Sequence, residues 1–265
     1  MKSAAAFRKE NANLLHGLII EQIKEKFLNS NVVNVLKNCD QHGRRVLIVN
    51  CGGSWDPSYV STDDVFRILY LVHIAAQLEP ETQVRGAVVV MDFEGLSMKQ
   101  VTALTPTFSK RLLTFIQDAM PIRLKELHFV KQPFIFKLVW TLFKPFVREK
   151  LNKRMFHVVL TNNYINLHSP YVEHNNTINM SKANSEEAFN IRIGYMRPET
   201  IELAKNELRE TPEVKQTAIM ELRQLLHACP DLHYKDDDEF LIIFLRTCHF
   251  YPESAFEKVS QMYAK

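Results

Sequence analysis

Glycine is scarce in this sequence, with seven residues among 265. They form no GxGxxG, GxxxxGK[S/T] or GxSxG motif, so the loops that cradle phosphates and the nucleophile elbow of hydrolases are absent. We therefore do not expect a nucleotide held by a glycine-rich loop.

Cysteine and long apolar runs are scarce too. The four cysteines form no CxxC pair and are too few for a disulfide scaffold. No run of 18 apolar residues and no apolar signal core at the start of the sequence are present, so we expect a reduced, cytoplasmic protein that does not span a membrane. The ten histidines show no HxH or HExxH spacing, so neither a metal nor a cofactor is expected. A net charge of +3 is too small to indicate a nucleic-acid partner.

Short apolar runs alternate with helical patterns over the first 160 residues. Helices are predicted at 1–28, 31–38, 61–78, 105–120 and 134–146, and buried strands at 45–51, 86–91, 124–130 and 156–160. This alternation predicts an α/β fold with a largely parallel sheet flanked by helices, because parallel strands are covered on both faces.

The character of the sequence changes after residue 160. Residues 161–190 are polar and rich in asparagine, as in a linker. Four helices are then predicted from about residues 199, 211, 236 and 251, which indicates a small all-α segment. We therefore predict three parts: an α/β domain at 1–160, a linker at 161–190 and a helical domain at 191–265.

Three adjacent stretches carry a family resemblance. They are VVVMDFEGLSMKQ (88–100), LTPTFSKRLLTFIQDAMPIRLKELHFV (104–130) and QPFIFKLVWTLFKPFVREKLNKR (132–154). Together they resemble the CRAL-TRIO lipid-binding family, and within it the insect alpha-tocopherol transfer protein-like branch. The resemblance implies an α/β fold that encloses a lipid pocket.

The order of the segments departs from the family. DDDEFLIIFLRTCHFYPESAFEKV (236–259) resembles the family's N-terminal helical domain, but here it follows the lipid-binding stretch. The chain is therefore circularly permuted or is a product of two fused tandem gene copies; we favour fused copies, with Met180 as the natural start of the second. The HG pair and glycine-rich ending of the family are also replaced, so the closing segment of the pocket is missing or different.

The resemblance implies cytosolic binding of a small hydrophobic lipid (tocopherol, retinoid or phospholipid) and its transfer between membranes. The apolar helix at 134–146 would be a mobile gate whose inner face meets the ligand and, once open, the bilayer. Plain core packing is the competing interpretation for each expected lining residue: Phe108, Leu112, Phe115, Ile116, Phe129, Phe134, Ile135, Leu138, Val139, Leu142 and Phe143.

Positive charge is concentrated beside this helix. Residues 123–154 contain nine basic and two acidic residues, a net charge of +7, which favours contact with an anionic membrane surface over a merely solvated face. By resemblance, Arg123, Lys125, Lys150 and Arg154 would contact a phosphoinositide headgroup. The family branch adds an arginine at the position of Cys248, so the implied cluster is incomplete.

Two patterns could suggest an enzyme. Asp92 and Glu94 follow a strand and could act as general acid and base, and Cys39 to Arg45 fits the CxxxxxR spacing of cysteine phosphatases. The family's DxEG turn is structural, and the predicted helix before Cys39 is the wrong context for a phosphatase loop, so we predict no enzymatic activity. The alternative to a carrier is a non-transferring interaction protein or a nonfunctional product of fused gene copies.

Overall fold

A five-stranded sheet with the order β1-β2-β3-β4-β5 lies at the centre of the fold. The structure, a computed structural model, describes residues 4–157, 193–230 and 232–263. β1 pairs antiparallel with β2, and all the other neighbours are parallel. The strands are β1 (Val33–Val35), β2 (Arg45–Asn50), β3 (Ala87–Asp92), β4 (Leu124–Val130) and β5 (Met155–His157).

Helices cover the sheet and continue beyond it. The α-helices are α1 (Ala4–Glu10), α2 (Ala12–Leu15), α3 (Lys24–Ser30), α4 (Thr62–Gln77), α5 (Pro80–Arg85), α6 (Met98–Ala103), α7 (Pro106–Thr114), α8 (Phe136–Phe143), α9 (Glu149–Asn152), α10 (Pro198–Leu208), α11 (Pro212–His227), α12 (Asp238–Thr247) and α13 (Pro252–Tyr263). The predicted α/β class with a largely parallel sheet is confirmed, as is the helical segment at the end of the sequence.

Side-chain caps set the start of the helices around the sheet. Ser61 and Asp64 form a reciprocal capping box at α4, and Thr105 accepts a hydrogen bond from the Phe108 backbone N–H at α7. These caps account for the helix starts predicted at residues 61 and 105, because an oxygen side chain there satisfies an N–H that the helix leaves free.

Three sequence predictions were wrong in detail. The helix predicted at 31–38 contains β1 instead, because Asn31 ends α3 in the left-handed region (φ 56°) and the following Val-Asn-Val pairs with β2. The single helix predicted at 1–28 is broken, with Gly17 at φ 68°. The helix predicted at 134–146 is α8, eight residues long, followed by a 3₁₀ turn around Pro145, whose missing N–H disfavours a continuous α-helix.

Other boundaries shift less. The helix predicted at 105–120 is α7 followed by a π-helical turn, Phe115–Ala119. The predicted fourth strand begins one residue earlier, in β5, and residues 158–160 lie outside the described residues. The predicted linker at 161–190 lies outside them too, so the division into three parts stays a prediction.

The helices at the end of the sequence pack back onto its beginning. α13 contacts α1, and α10 and α12 contact α5. Leu241, Phe244 and Val259 belong to the same buried apolar cluster as Phe7 and Phe66. The helices at the end of the sequence and those at its beginning thus contribute to one hydrophobic cluster.

Candidate functional site

A cavity of about 570 Å³ lies between one face of the sheet and helices α4, α7 and α8. The alternation of side chains along each strand decides which residues reach it. In β2 and β3 the odd-numbered residues line the cavity, for example Leu47, Val49, Val89 and Met91. The wall is almost entirely apolar.

Aromatic side chains form two parts of the wall. Phe115, in the π-helical turn, lines the cavity and packs against Phe7, Phe66, Tyr70 and His73 with ring centroids 5.2 to 5.7 Å apart. A π-helical turn shifts the side chains that follow it relative to a regular helix, and such turns are frequent at functional sites.

The second aromatic group joins the sheet to α8. Phe129 on β4 packs against Phe136 and Trp140 of α8, with centroids 5.9 and 6.0 Å apart. Trp55 lies on the same cavity, and its indole N–H donates to the Val60 carbonyl (2.8 Å). Both tryptophans of the protein therefore lie on the cavity wall.

The structure brings seven of the eleven expected lining residues to this cavity: Phe108, Leu112, Phe115, Ile116, Phe129, Val139 and Phe143. The other four do not line it: Phe134, Ile135, Leu138 and Leu142. Phe134, in the turn before α8, is 83% exposed, and Leu138, on the outer side of α8, is 49% exposed. Ligand contact by any of these residues remains a prediction.

Six polar side chains on the wall were not anticipated: Asn34, Arg45, Asn50, Cys51, His73 and Glu79. Arg45 forms a close ion pair with Glu79, at 2.5 Å from Nη2 to Oε1. His73 Nε2 accepts a hydrogen bond from Gln77 Nε2 (2.6 Å). Burial, and then the charge of Arg8, lower the pKa of His73 to about 3, so the imidazole is neutral. The signal was present in the sequence, since His73 follows Leu69 at helical spacing on the buried face of α4.

Three of the four expected headgroup residues meet near the start of β4. Arg123 and Lys125 both approach Glu207 of α10, at 3.5 and 3.6 Å, and Arg154 donates to the Leu124 carbonyl. Burial lowers the pKa of both Arg123 and Lys125; for Lys125 the charge of Arg123 is next in importance, and Arg154 adds to the effect.

The fourth expected residue stands apart. Lys150 is exposed on α9, and its charge is not among those that shift the pKa values of Arg123 and Lys125. Cys248, which the resemblance aligns with a further arginine of the family branch, is buried at the end of α12. Arg123, Lys125 and Arg154 are called the basic cluster below.

The acidic turn after β3 has structural partners. The Glu94 backbone N–H donates to Asp92 Oδ1 (2.8 Å), and Lys131 pairs with both carboxylates, at 3.2 and 2.6 Å. The Gly53 backbone N–H donates to the Glu94 carbonyl (2.7 Å), and a side chain at Gly52 would collide with that carbonyl. The carboxylates of this turn therefore bind Lys131 after β4, and the backbone of the turn binds the loop that follows β2.

The CxxxxxR segment does not form an anion-binding loop. Arg45 is committed to Glu79 and to the carbonyls of Leu36 and Lys37. Burial raises the pKa of the Cys39 thiol, which disfavours the thiolate that a phosphatase needs. Among the helices of the described residues, none combines the length and apolar character needed to cross a bilayer.

Comparison with known proteins places the site in a family context. Residues 29–174, more than half of the chain, match the model of the CRAL/TRIO domain. Clavesin-1 of Rattus norvegicus is 36% identical over 122 residues, which are 46% of this chain and 34% of the relative. Clavesin-2 of Homo sapiens is 35% identical over 121 residues, 46% of this chain and 37% of the relative.

A third relative is the "Alpha-tocopherol transfer protein-like" protein of Mus musculus, 35% identical over 129 residues, 49% of this chain and 37% of the relative. The chain thus spans about a third of the length of the curated relatives it matches. The matched region begins in α3 and includes the whole described sheet, α4 to α9 and most of the cavity wall. On this match and this architecture, the chain belongs to the CRAL/TRIO domain family.

Proposed function

We propose that the protein binds one small hydrophobic lipid in the cavity and carries it between membranes. The observation that supports this most directly is a volume of about 570 Å³ behind an almost wholly apolar wall, within the range typical of small-molecule sites. Each CH₂ group moved there from water contributes about 0.8 kcal/mol, so a ten-carbon chain gains on the order of 8 kcal/mol. A tocopherol, a retinoid and a phospholipid acyl chain all fit this chemistry.

Helix α8 is the proposed gate. Phe136 and Val139 are buried on its inner side, whereas Lys137 and Leu138 are exposed on its outer side, and Phe134 is exposed in the turn before it. An outer face that combines apolar residues with a lysine suits the interface of a bilayer, where the rings and chains enter the acyl boundary and the ammonium meets phosphate. An outward movement of α8 would open the cavity toward the membrane.

The basic cluster is the proposed contact with an anionic surface, with phosphoinositide headgroups among the candidates. Elsewhere in the +7 stretch several cations are already paired, such as Arg148 with Asp118 and Lys153 with Glu149. Lys144 and Lys150 are exposed and form no ion pair within the described residues. We infer transient membrane association of a cytosolic carrier that has no enzymatic activity of its own.

Native mass spectrometry tests the carrier function. The purified protein is incubated with a mixture of tocopherol, retinoid and phospholipid, and the expected result is a complex of one protein with one lipid. Transfer is then followed between donor and acceptor vesicles. Retention of none of these lipids would contradict the proposal.

The second candidate is an interaction protein, or a product of fused gene copies, that does not transfer lipid. The unusual segment order favours it. It predicts no rise in Tm on adding lipid, whereas a ligand that binds only the folded state raises the stability by mass action. The shared core of the described segments supports a folded protein and so favours the carrier.

A further inference from the structure

The basic cluster already holds a carboxylate of the protein itself. Glu207 Oε2 lies 3.5 Å from Arg123 Nη1 and 3.6 Å from Lys125 Nζ. These contacts link α10 to the start of β4, 84 residues apart in sequence for the Arg123 contact. Any anion that approaches this cluster from a membrane must compete with Glu207.

The backbone that carries Glu207 is held firmly. Thr200, Ala204 and Leu208 are buried on the inner face of α10, and Thr200 Oγ1 donates to Glu81 on α5 (2.7 Å). The Glu207 carbonyl accepts a hydrogen bond from His249 Nδ1 (3.0 Å). The Glu207 side chain, in contrast, is 43% exposed. It can therefore turn away from the cluster without any movement of the helix.

One carboxylate does not neutralise the cluster. Three cations lie close together, and burial together with their mutual repulsion holds the pKa values of Arg123 and Lys125 below their usual range. The cluster can thus accept more negative charge than Glu207 supplies.

We propose that Glu207 makes this site selective for phosphomonoester groups over phosphodiester groups. The inference rests on the proposed contact of the cluster with an anionic surface. A phosphodiester headgroup carries a single negative charge, no more than Glu207, which is tethered and so present at a high effective concentration. A phosphomonoester carries about −1.5 to −2 charges and three acceptor oxygens. Because of this greater charge, it can displace the carboxylate where a phosphodiester cannot.

Vesicle binding by Glu207→Gln tests this selectivity. Phosphatidylcholine vesicles that contain phosphatidylserine are compared with vesicles of equal surface charge that contain a phosphatidylinositol monophosphate. The wild type is expected to prefer the phosphomonoester vesicles. Glu207→Gln should raise the affinity for phosphatidylserine vesicles about fivefold, because the phosphodiester no longer competes with two weak ion pairs. The affinity for phosphatidylinositol monophosphate vesicles should rise less. The ratio of the two affinities therefore falls.

Glu202→Gln is the matched control. Glu202 lies on the same helix, is exposed, and accepts a hydrogen bond from Asn206 rather than from the cluster. The charge change is the same, so a general electrostatic effect would alter both variants equally, and the expected ratio for Glu202→Gln is that of the wild type. Glu207→Asp keeps the charge but shortens the reach, and it should give an intermediate ratio even if Glu207→Gln is unstable.

Two outcomes would overturn the inference: one concerns Glu207 alone, and the other concerns the anion site as a whole. An unchanged ratio in Glu207→Gln would mean that Glu207 is only a structural counter-ion. Failure of the wild type to bind either vesicle would exclude the anion site itself, whereas lipid binding in the cavity is measured separately by native mass spectrometry. Added inorganic phosphate distinguishes the source of the group: competition identifies free phosphate as the occupant, and resistance to it identifies the lipid headgroup. The ratio decides the proposal in either case.

Discussion

Adjacent residues of α8 occupy opposite environments, which allows the cavity to be tested with a matched pair. Val139 is 4% exposed and lines the cavity, whereas Leu138 is on the outer face. Val139→Trp should fill the space that a lipid needs and abolish lipid retention in native mass spectrometry, at a cost in stability of about 1–3 kcal/mol. Leu138→Trp adds a comparable ring toward solvent and should retain lipid. Equal retention by the two variants would place the ligand elsewhere.

His73, on the cavity wall, makes the stability of the folded protein depend on pH. Its pKa in the folded state is about 3, mainly because of burial, against about 6.5 in an unfolded chain. Between these values only the unfolded state binds the proton, so stability is full above pH 6.5 and falls as the pH decreases, by up to ~1.4 kcal/mol per unit.

Urea unfolding of His73→Gln between pH 6.5 and pH 5 isolates this effect, because carboxylates titrate lower. The free energy of unfolding should lose most of its slope with pH in this variant. The exposed His16→Gln should keep the slope of the wild type. A slope in His73→Gln that equals that of the wild type would show that another group is responsible.

At the scale of single residues, the sequence predicted apolar lining better than polar partners. Phe115 and Val139 followed from helical spacing and the family resemblance. Glu207 could not be found in this way, because its partners lie in another strand and only tertiary packing brings the charges together. Arg45 and Glu79 were missed as partners for the same reason, since 34 residues separate them in the sequence.

Helices α5, α10 and α12 meet around a buried ion pair. Arg246 of α12 binds Glu210 through two hydrogen bonds of 2.8 and 2.6 Å and Gln83 of α5 through one of 2.6 Å. The side chains of Arg246 and Glu210 are each 6% exposed. Removal of one partner would leave a buried charge without compensation.

Arg246→Met should therefore lower the free energy of unfolding by about 3–5 kcal/mol in urea titrations. Arg223→Met removes the same side chain from a solvent-accessible pair with Asp236 and Asp238 and should cost less than about 1 kcal/mol. Similar losses in both variants would show that the buried pair has no special role in holding α12 to α5.

Elements with strong periodicity or caps were predicted well, and short ones were not. β2, β3, β4 and α10 to α13 followed from apolar runs and from Ser, Thr, Asp or Pro at their starts. β1 is three residues long and gains its stability from pairing with β2, which a local pattern does not show. Pro145 explains why α8 is shorter than predicted. The sequence pattern predicts a helix that extends to residue 146, whereas the α-helix ends at Phe143, before this proline.

The segment order can be tested on the whole molecule, because α13 packs against α1. A rearranged chain is made by placing residues 193–265 before residues 1–157 with a flexible Gly/Ser linker of about eight residues. If the contacts among α1, α5 and α10 to α13 determine the fold, this chain should unfold in one cooperative transition and retain lipid as the original does. Two separate transitions would show that the helical segment and the sheet are independent units.

The positions of Trp55 and Trp140 have a spectroscopic consequence. Both indole rings lie on the cavity wall, and the protein has no other tryptophan. When the protein is excited at a wavelength that tryptophan absorbs and tyrosine does not, its emission therefore originates from the surface that a lipid would touch. A polyene ligand such as a retinoid would quench that emission by energy transfer, whereas a saturated chain would shift its wavelength by displacing water. Tryptophan fluorescence of the unlabelled protein should therefore report whether the cavity is occupied and which class of lipid occupies it.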